Sequence, residues 1–555
     1  MSDAPGLDTT TSPELDDDQI AFLDALGTRR RVAAGEVLFS PADASYDFVV
    51  IVSGSVQILA GHGDDQTVVV VHAARRFLGE VSLLTRQRPY FTARVHDAAE
   101  VIEVPAEVFR SQVASDARVS DVILEAFLAR RTALLTSAAA DTLQIVGSRY
   151  SPGSLALREY AARNRLPHRW IDADSDADVA TLLERLDVTE AELPIAIGER
   201  GIIRRATPGK LAQELGLTVD ALPERCVDLV VVGAGPGGLA ASVYGASEGL
   251  STITVDAVAV GGQAGTSSRI ENYLGFPTGI SGADLAHRAA VQAQKFGARL
   301  TSPCAVSGLA EQAGHLVLHL ADGTVVAGRA VIAATGAHYR RLPVDGLADH
   351  EGTSVFYAAT ELEARMCGGQ PVVVVGGGNS AGQAAVFLAS KGCDVHVVIR
   401  RPDLTATMSS YLIDRIDADP HISVHGRSEV AALAGSHGLE QVTLRTTGDG
   451  RAETDLDLEC AALFSFIGAE PNSSWLGDVA LDDRGFVLTD RSLGDDDLGE
   501  AWAGYGRGPL PFETSRPGLF AIGDVRSGSL KRVAAAVGEG SAAVRSVHEH
   551  LRLSL

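Results

Sequence analysis

The chain has 555 residues, which is enough for about three to five domains with separate cores. Its 71 acidic residues outnumber the 47 lysines and arginines, and the net charge of −24 argues against nucleic acid or an anionic membrane as a main partner. Apolar residues make up 46% of the chain, and no apolar run approaches the roughly 18–20 residues of a membrane span. The acidic start, MSDAPGLDTTTSPELDDD, is unlike a signal peptide, so we expect a cytoplasmic protein.

The five cysteines are scattered along the chain and contain no C-x-x-C pair. This spacing indicates neither a disulfide framework nor a zinc site, and we predict no metal.

Residues 14–137 are predicted to form the first domain. A short helix from Gln19 leads into short apolar runs separated by Gly and Asp, which is typical of a small roll or barrel. Two helices follow, at 105–114 and 119–139, and the second is predicted either to form a dimer seam or simply to pack on its own domain. The predicted strands are 37–39, 47–52, 56–59, 67–72, 93–96 and 101–104.

This order of elements resembles the cyclic-nucleotide-binding domain. The resemblance is carried by AGEVLF at 34–39, VSGSV at 52–56 and FLGEVSLL at 77–84. In that family the glutamate, here Glu80, holds the ribose and a Pro-Arg pair holds the cyclic phosphate. This chain has Tyr90 at the place of the arginine, and a phenol has neither the charge nor the paired donors of a guanidinium.

We therefore expect cyclic AMP to bind weakly or not at all, unless Arg86, Arg88 or Arg94 replaces the missing arginine. If the rest of the nucleotide-binding motif, including Glu80, is intact, Tyr90→Arg is expected to raise the affinity for cyclic AMP. No helix-turn-helix follows, so the sequence gives no support for a transcription factor.

Residues 141–222 are predicted to form a second domain with the order β-α-β-α-β-β-α. This order resembles a thioredoxin- or glutaredoxin-like domain. Leu193-Pro194 lies at the place of the family's cis-proline strand, and Ser151-Pro152-Gly153-Ser154 lies where the family has Cys-Pro-x-Cys. Because serine cannot exchange disulfides, we expect a redox-inactive binding or spacer domain, with a linker near 217–225.

The remaining chain contains two dinucleotide fingerprints. Residues 228–232 (DLVVV) run into Gly233-Ala-Gly235-Pro-Gly-Gly238, and a second strand ends at Asp256, which predicts a pyrophosphate on a helix N-terminus and an acid for a ribose hydroxyl. The pattern recurs at 371–381, where the following strand ends in Arg400 and Arg401. Cations at this position favour a ribose 2′-phosphate, and so NADPH over NADH.

From Asp228 onward the chain resembles the thioredoxin reductase family. Further carriers of the resemblance are GGQA at 261–264, IENYLGFP at 270–277, AATG at 333–336, GLFAIGDV at 518–525 and KRVA at 531–534. The resemblance implies two Rossmann-like, three-layer domains in a multidomain α/β chain. The FAD-binding domain would span 226–345 and 464–555, and the NADPH-binding domain 346–463.

The predicted cofactor-binding residues follow from these motifs, and no catalytic side chain is predicted. For FAD they are Gly233, Gly235, Pro236, Gly237, Gly238, Asp256, Gly262, Gln263, Asn272, Gly336, Gly523, Asp524, Arg532, Val533 and Ala534. For NADPH they are Gly376, Gly378, Asn379, Ser380, Ala381, Arg400 and Arg401.

The family's Cys-Ala-Thr-Cys is missing. The corresponding segment reads GTSVFYAATE at 352–361, and we expect Phe356 or Tyr357 to cover the flavin ring instead. The first hypothesis is an NADPH-dependent flavin oxidoreductase, expected to be a homodimer, that passes electrons to a small-molecule or protein acceptor without a dithiol. The alternatives are a regulatory flavoprotein with little turnover and a disulfide reductase assisted by a partner's cysteines. The acidic insertion at 492–511 is predicted to be a surface loop or a lid.

Overall fold

A computed structural model describes residues 10–60, 66–113, 115–136, 143–148, 151–174, 179–198, 201–217, 226–266, 270, 273–351, 354–357, 359, 363–364, 367–435, 438–447 and 454–553. The chain divides into two compact units, Met1–Gly336 with Asn472–Leu555 and Ala337–Pro471, and each is described by itself. Within the described ranges, none of the helices has the length and apolar character needed to cross a bilayer.

The N-terminal domain is an antiparallel β-roll with helices. Its hydrogen-bonded path is β1-β6-β3-β4, with β2 on β6 and β5 on β3. Its elements are α1 (Asp17–Leu26), β1 (Thr28–Val32), β2 (Val37–Phe39), β3 (Phe48–Ala60), β4 (Thr67–Ala73), β5 (Phe77–Leu78), α2 (Val81–Thr85), β6 (Thr92–Val104), α3 (Ala106–Gln112) and α4 (Ala117–Thr136).

The core of this domain is built on aromatic rings. Phe48 stacks on Phe109 with ring centroids 4.4 Å apart, and Phe77 and Phe127 pack around them. Because α4 buries Phe127 and its neighbours in this core, the interpretation of α4 as a packed helix is favoured over a dimer seam. Val291, from a later domain, belongs to the same core.

The second domain has the sheet order β10-β9-β7-β8, in which β7 and β8 are parallel and the other pairs antiparallel. Along the chain the elements follow the predicted order β-α-β-α-β-β-α. Ser154 is buried and close to Gly147, and Gly153 approaches Pro194, as the motif implies. The elements are β7 (Gln144–Gly147), α5 (Pro152–Arg163), β8 (Arg169–Asp172), α6 (Val179–Arg185), β9 (Ile195–Gly198), β10 (Gly201–Ile203) and α7 (Pro208–Glu214).

The rest of the first unit is organised by a seven-stranded sheet with the order β13-β12-β11-β16-β15-β14 and β27 beside β16. The strands β13, β12, β11, β16 and β27 are parallel, as a Rossmann-like fold requires. The elements are β11 (Val227–Val232), α8 (Pro236–Ser247), β12 (Thr252–Val255), α9 (Gly282–Lys295), β13 (Arg299–Thr301), β14 (Val306–Gln312), β15 (His315–Leu320), β16 (Val325–Ala333), β27 (Leu519–Ala521) and a last helix, Val533–Leu553.

The second unit has a five-stranded parallel sheet, β18-β25-β19-β20-β21, and a three-stranded antiparallel sheet, β22-β23-β24. Its strands are β17 (Ala337–Tyr339), β18 (Val355–Phe356), β19 (Val372–Val375), β20 (Val395–Val398), β21 (Ile422–His425), β22 (Ser428–Ala434), β23 (Gln441–Thr446), β24 (Thr454–Glu459), β25 (Ala462–Ser465) and β26 (Ala469–Pro471). Its helices are α10 (Leu347–His350), α11 (Asn379–Ser390) and α12 (Ser410–Ala418), so that Val533–Leu553 is α13.

The insertion at 492–511 is packed against the first unit. Trp502 is buried and donates its indole N–H to the Ser515 carbonyl at 2.6 Å. Arg507 forms a doubly bonded ion pair with the fully buried Glu513. These contacts favour the interpretation of the segment as a fixed surface loop over a lid.

Candidate functional site

The first fingerprint forms the turn between β11 and α8. Gly238 packs so closely on the turn that an added Cβ would lie 1.8 Å from the Gly233 carbonyl oxygen. Gly235 caps α8, and the atom closest to its missing Cβ is the Gly262 Cα at 3.8 Å. The N-terminus of α8 and the Gly262 turn thus form two backbone walls, which fit a pyrophosphate that accepts from helix N–H groups. Pro236 and Gly237 are the first residues of α8, and Gln263 begins the 3₁₀ turn after Gly262.

Asp256 directly follows β12 and supports this turn. One carboxylate oxygen accepts the N–H of Ala234 at 2.7 Å, and the other accepts those of Val258 and Ala259 at 2.9 Å each. The carboxylate therefore holds the glycine turn against the Asp256 loop in addition to the role predicted for it toward a ribose.

The first turns of α13 complete this site. The missing Cβ of Gly237 lies 3.1 Å from the Ala536 oxygen, and that of Gly523 lies 3.7 Å from the Ala536 Cβ. Glu539 accepts the Gly523 N–H at 2.6 Å and pairs with Arg526. Glu539 was missed in the sequence, where its one signal is an isolated acid between the glycines of a small-residue helix.

Asp524 is half-buried, and burial raises its pKa. Within the described ranges its carboxylate has no recorded hydrogen bond to protein, which suits a ligand hydroxyl. Arg532, Val533 and Ala534 lie at the start of α13, where backbone N–H groups lack intrahelical acceptors. Asn272, also predicted, lies outside the described residues.

Gly336 lies where the chain leaves the first unit, and Asn472 lies where it returns. The Asn472 N–H donates to the Gly336 carbonyl at 3.0 Å. Thr335 and Asn472 also exchange side-chain to backbone hydrogen bonds of 2.7 and 3.0 Å. Hydrogen bonds therefore hold together the two segments of the first unit at which the chain leaves it and returns to it.

The second fingerprint forms the turn between β19 and α11. Gly376 has a φ of +138°, and an added Cβ would lie 2.6 Å from the Phe466 oxygen, so the turn requires glycine. Space is open beside Gly378, the residue that caps α11. Asn379, Ser380 and Ala381 form the first turn of this helix; Asn379 accepts the Ser409 N–H at 2.8 Å, Ser380 is exposed and Ala381 is buried.

Arg400 and Arg401 follow the end of β20 and are exposed. Among the ion pairs of the described residues, none involves either arginine. Two uncompensated guanidinium groups at this strand end fit a phosphate on the 2′ position of a ribose.

The segment at the place of the family's thiols is partly described. Phe356 is buried and packs on Phe464, with ring centroids 5.4 Å apart. That Phe356 or Tyr357 covers the flavin ring stays a prediction. Tyr357 stacks on Tyr339 at 5.5 Å and donates its hydroxyl to Glu351. Residues 358 and 360–362 lie outside the described ranges.

None of the five free cysteines has an environment that favours a thiolate. Burial raises the pKa of Cys304 to about 11 and those of Cys367 and Cys460 to about 12. Burial also raises the pKa values of Cys226 and Cys393. Since the thiolate is the reactive form, a raised pKa keeps these side chains protonated and unreactive near neutral pH.

In the N-terminal domain, Glu80, the glutamate that would hold the ribose of a cyclic nucleotide, is hydrogen-bonded to other residues of the same domain. Glu80 caps α2 by accepting the Ser82 N–H at 2.9 Å, and its second oxygen accepts two N–H groups of Arg131 at 2.7 and 3.1 Å. The Arg131 guanidinium lies over the Tyr90 ring, 5.1 Å from its centroid, and the Tyr90 hydroxyl donates to Gln87. Thus Glu80 is committed to a buried ion pair, and Tyr90 packs beneath that pair.

The three arginines considered as substitutes lie elsewhere. Arg86 pairs with Glu107, Arg94 donates to Gln66, and Arg88 approaches the Ala42 carbonyl. A cavity lies between the roll and α4, with Glu80 and Tyr90 in its wall, and none of the three arginines lines it.

Two arginines of the second domain contact the part of the first unit that contains the first dinucleotide fingerprint. Arg163 of α5 donates to the carbonyls of Ala259 and Gly262 at 2.9 and 3.1 Å. Arg165 pairs with Asp284 of α9, and its own carbonyl accepts from Arg131 at 3.4 Å. A continuous series of polar contacts therefore runs from Glu80 to α9, while Arg163 braces the Gly262 turn. These contacts have no local sequence signal.

Comparison with known proteins gives two family matches. The model described as pyridine nucleotide-disulphide oxidoreductase matches residues 227–540, and that of the cyclic nucleotide-binding domain matches residues 29–116. The thioredoxin reductase of Treponema pallidum is 30% identical over 325 residues, which cover 58% of this chain and 97% of that protein.

Two further relatives have similar names. The NADPH-dependent thioredoxin reductase 3 of Arabidopsis thaliana is 31% identical over 332 residues, 58% of each chain. The solved thioredoxin reductase of T. acidophilum is 28% identical, with 59% of this chain and 99% of that one covered and a TM-score of 0.46.

Proposed function

Because the chain belongs to the pyridine nucleotide-disulphide oxidoreductase family, we propose that it oxidises NADPH through FAD and passes the electrons to an acceptor without an internal dithiol. The observation that carries the second half of this proposal is the segment at 354–357. A buried Phe356 and a stacked Tyr357 precede the place of the family's cysteines, and neither cysteine of the motif is present.

The residues of the first unit fit FAD. Its pyrophosphate would take N–H groups at the start of α8, Asp256 would orient the adenosine ribose, and Asp524 would accept from the ribityl chain. In the second unit, α11 and the Arg400–Arg401 pair would hold NADPH. The bound coenzymes supply the hydride and electron transfer, and the chain supplies their positions.

The acceptor is proposed to be a quinone, dye or iron–sulfur protein. Such acceptors take electrons at the exposed edge of the flavin and need no thiol–disulfide exchange. This agrees with the environments of the five cysteines, whose pKa values are raised or whose side chains lie in the core. A homodimer in the cytoplasm is proposed from the family resemblance.

The test is an anaerobic titration of the yellow protein with NADPH, followed by a panel of acceptors. We expect stoichiometric bleaching by NADPH and reoxidation by quinone or dye, with no reduction of thioredoxin or of an aromatic disulfide above background. Efficient thioredoxin reduction would reject the proposed electron route.

A second candidate function is a regulatory flavoprotein with little turnover. It is favoured by the contacts that Arg163 and Arg165 make with the part of the first unit that contains the predicted FAD site. These contacts join the second domain to the predicted FAD site, and the bond from Arg131 to the Arg165 carbonyl links the N-terminal domain to the same series. Steady-state NADPH consumption separates the candidates, because a regulatory protein would be reduced once and then turn over negligibly with every acceptor.

A further inference from the structure

The N-terminal domain contains a cavity of about 200 Å³ between the β-roll and α4. Most of its wall is apolar or aromatic, including Phe39, Tyr46, Ile58, Val70 and Phe91. An apolar protein cavity of about 150 Å³ is large enough for benzene. The cavity therefore has room for one aromatic ring with a short side chain, or for an alkyl chain of similar volume.

The polar part of the wall is unsuited to a cyclic nucleotide. Glu80 is the one acidic residue among the described lining residues, and Arg131 and the Ser82 N–H already occupy its two oxygens. His72 bonds to the Ser12 hydroxyl at 2.8 Å, and burial together with nearby arginines lowers its pKa to about 3, so it stays neutral.

Arg130 is the one cation of this wall. It donates to the backbone carbonyls of Thr11, Phe77 and Gly79, and no carboxylate is recorded as its partner among the described residues. Burial lowers the pKa of Arg130 to about 10, so it still carries its charge at neutral pH. A guanidinium has five N–H groups, of which three have recorded acceptors here.

Two adjacent arginines therefore share a single carboxylate. Arg131 takes Glu80, and Arg130 faces the cavity with neutral partners only. Arg130 is partly buried, and the charge of Glu80, which acts on it from a distance, is already hydrogen-bonded to Arg131. A ligand that brings its own carboxylate would give Arg130 the charge-assisted hydrogen bonds that Glu80 gives Arg131.

We propose that this cavity binds a small apolar monocarboxylate, with its aromatic or alkyl body against the aromatic wall and its carboxylate on Arg130. Because this site is distinct from the coenzyme sites, its test does not depend on NADPH oxidation.

The experiment is calorimetry on the full FAD-loaded chain without NADPH, using two matched pairs: 3-phenylpropionate with its amide, and octanoate with octanamide. We expect at least one acid to bind, with its amide at least tenfold weaker. Cyclic AMP should not displace the acid.

Three variants locate the site. Arg130→Met should abolish the preference for acid over amide, whereas Arg76→Met, which removes a nearby arginine that does not line the cavity, should retain it. Ile58→Trp should fill the cavity and block both ligands. Flavin content and melting temperature report whether each variant is folded.

Four results would overturn the proposal: no measurable binding of either acid at millimolar concentration, equal affinity for acid and amide, tighter binding of cyclic AMP, or an unchanged preference in Arg130→Met. If Arg130→Met fails to fold, the acid-to-amide ratio and the Ile58→Trp variant decide.

Discussion

Glu80 keeps the identity that a cyclic-nucleotide site requires, but its partners have changed its use. Its carboxylate closes a buried ion pair with Arg131, and Tyr90 packs under the same guanidinium. The change Tyr90→Arg would place a second guanidinium beside Arg131, with no free acid to balance it. We therefore revise the expectation from sequence: Tyr90→Arg alone should not create cyclic AMP binding, and calorimetry showing micromolar affinity would contradict this.

The Glu80–Arg131 pair should be important for local stability. Removal of one partner from a buried pair costs about 3–5 kcal/mol, because the other charge stays buried. Arg131→Met should therefore lower the opening free energy of α4 by an amount of that order, measured by native-state hydrogen exchange. Arg118, also on α4, is the control: its exposed guanidinium pairs with Asp18 and Asp116, and Arg118→Met should cost at most about 1 kcal/mol.

Arg400 and Arg401 should select the coenzyme. The double change to Ala should weaken NADPH by roughly 1.5–3 kcal/mol for each charged hydrogen bond that is lost, and leave NADH nearly unchanged. Rapid-mixing measurements of flavin bleaching at varied coenzyme concentration give both affinities. Arg445→Ala, on β23 of the same unit, is the control and should change neither. An equal loss for both coenzymes would remove the assignment of the pair to the 2′-phosphate.

Among the elements, strands and helices with strong local patterns were predictable. The sequence divides β3 and β6 into two strands each, because Gly54 and the residues near Asp97 resemble turns. The structure instead has two continuous strands of 13 residues whose mutual register shifts near Ser53 and Ser55. A strand can continue through a β-bulge when it pairs with a long neighbouring strand, and the local sequence does not show that this neighbour is present.

The helix α5 has a second role that its sequence does not indicate. Arg163 at its end braces the Gly262 turn through the carbonyls of Ala259 and Gly262. Arg163→Ala should therefore speed FAD release and weaken FAD by about tenfold, or about 1.4 kcal/mol, the lower end of what charged hydrogen bonds contribute. Flavin fluorescence after dilution measures the release.

Arg158→Ala is the matched control on α5. Arg158 lies over the Trp170 ring within its own domain, so its loss should leave FAD release unchanged. Equal acceleration by both variants would indicate a general loosening of the helix and not the loss of a specific brace.

For the molecule as a whole, the coenzyme folds were predictable because each fingerprint is a contiguous strand–turn–helix. The contacts among domains were not, since Arg163 and Arg165 act on residues about a hundred positions away in sequence. The domain limits 14–137, 141–222, 226–345 with 464–555, and 346–463 remain predictions. So do the individual coenzyme contacts.

The absence of the thiol pair makes a prediction for the entire chain. Changing all five cysteines to Ser should leave NADPH-dependent quinone or dye reduction within about twofold, because no thiolate takes part. Steady-state rates and flavin content are the measurements. A large loss of activity in folded, FAD-loaded protein, or thioredoxin reduction that disappears in Cys367→Ser, would show that a thiol route exists.

A gain-of-function variant supplies the control. Ala358→Cys with Glu361→Cys restores Cys-Ala-Thr-Cys in sequence. Reduction of an aromatic disulfide by this variant, and not by the unaltered protein, would identify the missing pair as the reason for the difference.

The sharing of Val291 by the N-terminal core affects how the protein is made. Val291 follows Phe127 by about 160 residues, and a ribosome that adds about 5–20 residues per second needs on the order of 10–30 s to synthesise that stretch. Ala259 completes the core of the second domain in the same delayed way. The cores of the N-terminal domain and of the second domain therefore each lack one buried residue until the flavoprotein part of the chain has been synthesised.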